Sequence, residues 1–65
     1  MNNYIVRIFL ADLAILEYTL KANTASKASE KALKKYYRAG WDWIGYKKIK
    51  VYLEKEMKEV YTVMV

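Results

Sequence analysis

At Asn23-Thr24 the hydrophobic pattern of this chain changes its period, and that switch limits what the chain can fold into. Before it, from Ala14, apolar and polar residues alternate. Ala14, Leu16, Tyr18, Leu20 and Ala22 fall on one side, and Glu17, Thr19 and Lys21 on the other. A period of two marks a strand with one covered face. After the switch, from Ala25 to Ala39, the period is helical. Stepping about 100° per residue puts Ala25, Ala28, Ala32, Tyr36 and Ala39 on one side, flanked by Leu33. Thr24 is the expected N-cap, its hydroxyl accepting from the free N–H groups of the first turn. Gly40 stands where a left-handed residue ends a helix.

The other segments read as strands. In residues 4–10, Tyr4, Val6, Ile8 and Leu10 oppose Ile5, Arg7 and Phe9, so both faces of this strand are at least partly covered. Ala11-Asp12 is the polar break before the alternation resumes, which places a tight turn near 11–13; one long bent strand is the alternative. Gly40 to Gly45 reads as an aromatic loop carrying Trp41 and Trp43, at least one of which is expected to cap the core end. Lys47, Ile49, Val51 and Leu53 then alternate with Lys48, Lys50, Tyr52 and Glu54. The charged run Glu54 to Lys58 leads into a last strand, Val60 to Val65, and Glu59 is grouped with that charged turn. The order is ββαββ. The expected fold class is α+β: a single small domain, residues 1–65, with one helix packed on one face of an antiparallel sheet.

Composition then removes whole classes of chemistry. The 65 residues include no Cys, His or Pro. Disulfides, thiolate nucleophiles and Cys- or His-based metal sites are therefore excluded, together with the commonest general base. The carboxylates Glu54, Glu56 and Glu59 alternate with lysines, which suits a solvated turn better than a cation site. Gly40 and Gly45 enclose two tryptophans and do not make a phosphate-binding loop. The reading is a non-enzyme without cofactor or metal. The stretch from Tyr4 to Leu16 is broken by Arg7 and Asp12 and is shorter than a membrane span. Met1-Asn2-Asn3 offers no basic leader, so the expected location is the cytoplasm, without a membrane partner. A Lys- and Tyr-rich, Cys-free composition is of the kind met in low-GC bacteria and their phages.

Charge is the feature that points toward a function. The net charge is +5, yet the helical segment alone holds five cations against one acid, Glu30. Lys27, Lys31, Lys34, Lys35 and Arg38 share an arc of about 100° opposite the alanines. Such a stripe is the footprint expected of contact with a phosphate backbone, although lysine also serves simply as a good helix former. Trp43 is a candidate stacking partner beside it. The first functional expectation is a basic binding protein for nucleic acid or a nucleoprotein. The second is a protein-interaction module, a small regulator or inhibitor, that docks or homodimerises through the sheet face turned away from the helix or through an edge strand. On that face Ile5, Phe9, Ile15 and Tyr52 are the candidate contacts.

Overall fold

A computed structural model describes residues 2–64. The elements are β1 (Asn2–Leu10), β2 (Ile15–Ala22), α1 (Ala25–Arg38), the 3-10 turn η1 (Trp41–Trp43), β3 (Tyr46–Leu53) and β4 (Lys58–Met64). The four strands form one antiparallel sheet in the order β2-β1-β3-β4, and α1 covers one face, the α+β ββαββ arrangement. Among the described residues no helix is long and apolar enough to cross a membrane.

Residues 4–22 make a hairpin, not one bent strand. The Leu10 amide donates to the Ala14 carbonyl, and Leu13 to Leu10. The Asp12 carboxylate accepts from the Ala14 amide, so aspartate supplies the turn chemistry that glycine or asparagine usually provides. Leu13 takes the left-handed conformation, φ 75°, which costs a residue with a Cβ about 1 kcal/mol. β3 starts one residue earlier than its alternation suggested, at Tyr46, which pairs with Leu10. β4 starts at Lys58, two residues earlier than expected. Glu59 therefore lies in a strand rather than in the charged turn, and Val65 falls outside the described residues.

The inner face follows the pattern read from the sequence. Tyr4, Val6, Ile8 and Leu10 of β1 and Ile49 and Val51 of β3 are buried. Leu16, Tyr18, Leu20 and Val63 pack at their margin. The helix seats on this layer through Ala28 and Ala32, both fully buried, with Tyr36 closing one end. Alanine has no side chain to hold the helix away from the sheet, so the contact is close. Tyr36 packs edge-on to Tyr46, with ring centroids 5.7 Å apart, and burial pushes its phenol above the ordinary tyrosine range. Ser29, also buried, resolves its hydroxyl by donating to the Ser26 carbonyl at 2.7 Å.

Thr24 caps α1 as expected: its hydroxyl accepts from the Lys27 amide. Ala39 is an exposed C-cap rather than part of the buried side. Gly40 follows at φ 83°, and its amide donates to the Tyr37 carbonyl.

The tryptophans depart from expectation. Neither joins the buried core: Trp41 is 37% exposed and Trp43 80%. They fall in η1, where the Ile44 amide donates back to the Trp41 carbonyl. Ile44 and Tyr46 pack against the core there instead.

Candidate functional site

The fold puts the cationic side of α1 next to β2, one edge of the sheet. Between them lies an open groove of about 350 Å³, lined by Leu20, Lys21, Lys31, Lys34, Lys35 and Arg38. Five of these six residues are cations, and none of the described lining residues is acidic. Leu20 gives the groove its apolar element. Lys35 holds its ammonium 5.9 Å from the centre of the Tyr18 ring, within cation–π range.

Lys31 has a particular role. Its ammonium donates at 2.8 Å to the backbone carbonyl of Lys21. β2 is hydrogen-bonded to β1 alone, so its outer edge presents unpaired backbone groups. Lys31 covers one of them and blunts the edge with charge. The same bond pins the helix to the strand and fixes one wall of the groove. An ammonium has three donors, so two remain for a ligand.

Four of the five helix cations read from the sequence, Lys31, Lys34, Lys35 and Arg38, therefore meet in one groove. Lys27 stands apart, near the N-terminal end, with its ammonium 3.8 Å from Glu30 on an exposed surface. That is the one ion pair made by the stripe among the described residues. Trp43 does not line the groove; it projects from η1, beyond the C-terminal end of α1. Lys21 borders the groove although its place in the β2 alternation is with the outer face; the contact it makes there is through its backbone carbonyl, which accepts from Lys31. Its place on an edge strand, just before the N-cap, was the available signal, since such a residue must lie beside the first helical turns.

The outer sheet face is built in cross-strand rows. Glu17, Arg7, Lys50 and Thr62 form one row; Thr19, Ile5, Tyr52 and Glu59 form the next. Arg7 meets Glu17 at 2.7 Å and lies 5.1 Å from the centre of the Tyr52 ring. Lys50 meets Glu59 at 3.2 Å, and Thr62 donates to Glu59 at 2.7 Å. These contacts hold the Glu59 carboxyl below its ordinary range, the Thr62 hydroxyl contributing most and Lys50 next. Ile5, Phe9 and Tyr52 are half-buried under this network, whereas Ile15 is exposed. Of the candidate interface residues, Ile5 and Tyr52 thus lie beneath charged neighbours, while Phe9 and Ile15 belong to a further row at the end of the sheet.

No family model, no curated protein and no solved structure matches this chain, so no residue role is carried over from a relative.

Proposed function

We propose that this protein binds nucleic acid, alone or within a nucleoprotein, through the groove between α1 and β2. The observation that carries the reading is the absence of acids among the described groove residues: Lys21, Lys31, Lys34, Lys35 and Arg38 converge without a carboxylate to neutralise them. Lys31–Lys34, Lys31–Lys35, Lys34–Arg38 and Lys35–Arg38 are like-charge pairs at helical neighbour spacing, each opposing the helix by a few tenths of a kcal/mol. A phosphate backbone supplies the missing counter-charge and releases its own counterions in doing so. The groove offers cations rather than directional base-reading pairs, so the reading is backbone contact with little sequence preference. Trp43 and Trp41, exposed past the helix end, are available to stack on an unpaired base.

Fluorescence anisotropy with labelled single- and double-stranded DNA and RNA at low salt tests this directly. The wild type should bind, and the Lys31→Glu/Lys35→Glu double variant should lose binding while keeping its fold by circular dichroism. A wild type that binds none of the four probes at low salt overturns the proposal.

The second reading, a protein-interaction module, is favoured by one observation: the end of the outer face keeps large apolar side chains exposed, Leu13 and Ile15 among them.

A further inference from the structure

The apolar surface of the outer face is concentrated at one end. Ile15, Phe9, Lys48 and Met64 form its terminal cross-strand row, and Leu13 stands beyond them on the β1–β2 turn. Leu13 is 83% exposed, Met64 70% and Ile15 53%. Leu13 and Met64 border an open, mainly apolar groove of about 280 Å³ whose lining also includes Phe9, Lys47 and Lys48. Leu13 occupies a left-handed position that asparagine or glycine adopts with less strain. A leucine there sets a large apolar side chain in water through a strained backbone, which gains the isolated chain nothing.

We propose that this end of the sheet is a self-association surface, with a second copy of the chain as its occupant. Charge decides between occupants. Both signs are present here: Lys47 and Lys48 line the groove, and Asp12, on the turn before Leu13, holds its carboxylate 3.1 Å from the amide of the lining residue Ala14. A two-fold contact sets the Asp12 of one copy against the lysines of the next, as an isologous interface requires. An anionic lipid surface or an acidic peptide would meet Asp12 directly beside the most protruding side chain. The cations that would drive two copies apart, Lys31, Lys34, Lys35 and Arg38, line a different groove that shares no residue with this one. Pairing here leaves the cationic grooves open on both copies. A domain of this size also gains from association, because folding buries a smaller share of its surface than it does in a larger domain.

Sedimentation velocity from micromolar to millimolar protein is the test, with Leu13→Asn and Ile15→Lys as variants. The wild type should show a concentration-dependent dimer. Leu13→Asn should weaken the dimer by about tenfold or more while leaving the melting temperature of dilute protein unchanged or raised, since asparagine relieves the backbone strain. Ile15→Lys should weaken it as well. A wild type monomeric throughout the range, or a dimer whose dissociation constant neither substitution moves, overturns the proposal. Neither result bears on nucleic-acid binding, which the Lys31→Glu/Lys35→Glu variant reads separately.

Discussion

Both layers of this molecule display cations, and they are held in different ways. On the outer sheet face Arg7 has Glu17, Lys50 has Glu59, and Lys48 lies 4.8 Å from the centre of the Phe9 ring. On the helix side Lys31, Lys34, Lys35 and Arg38 gather with Lys21 around a groove, and the pair nearest to them, Lys27–Glu30, is long and exposed. The residue types are the same. Compensation distinguishes them: the sheet sets an acid against Arg7 and against Lys50, and the helix gives its central cations no ion pair among the described residues. A count of basic residues therefore overstates the binding surface, and the partners of each charge define it.

The largest expected effect comes from reversing charge on one layer at a time. Lys31→Glu/Lys35→Glu should weaken nucleic-acid binding about 100-fold or more at low salt. Lys48→Glu/Lys50→Glu, the same charge change on the outer face, should shift it only a few-fold. Equal losses in the two variants by anisotropy would mean that net charge, not the groove, governs binding.

The groove also depends on how close the helix sits. Ala32 is fully buried against the sheet, and Ala32→Leu should destabilise the fold by about 1–3 kcal/mol through overpacking, measured by urea denaturation. A neutral result would place the seat elsewhere.

A smaller effect separates stability from binding. Lys34→Glu turns two like-charge neighbours, Lys31 and Arg38, into opposite-charge ones, and turns one favourable neighbour, Glu30 at i−4, into a like-charge one, a net gain. It should raise stability by a few tenths of a kcal/mol and weaken binding by about tenfold. On the outer face Lys50→Gln should do the reverse, lowering stability by less than about 1 kcal/mol without changing affinity.

The smallest effect is in pH dependence. Glu59 has a lowered folded-state pKa, so its contribution is present at neutral pH and is lost as pH falls through and below the ordinary carboxylate range, about 4. Glu59→Gln should flatten the acid limb of the stability–pH curve, and an unchanged limb would remove the Lys50–Glu59–Thr62 cluster from the account.

Much of this was legible in the order of residues, and the parts that were not share a cause. The change of period at Asn23-Thr24, the Thr24 cap, the Ala28–Ala32 seat and Gly40 are local signals, each acting within a turn or two, so the helix and its cationic side could be read directly. The inner and outer faces of the strands followed from alternation alone. That Lys21 also borders the helix groove could not be read, because it depends on β2 being an edge, and strand order is set by pairing between distant residues. At least one tryptophan was drawn toward the core by size, but both are exposed on η1, and Ile44 and Tyr46 pack against the core there. The pairing of Lys50 with Glu59 was hidden by a register shift between Val51 and Tyr52, which brings Glu59 opposite Tyr52, next to Lys50. Its neutralising effect could not be seen in a list of charges.

The most direct measurement is the salt dependence of binding to a short duplex, compared between the wild type and Lys31→Glu/Lys35→Glu. Five groove cations engaged with phosphates predict that the logarithm of the association constant falls with the logarithm of salt with a slope of about −4.5, and that the variant flattens this slope or abolishes binding. A binding constant insensitive to salt, or a slope that the two substitutions leave unaltered, would contradict the account.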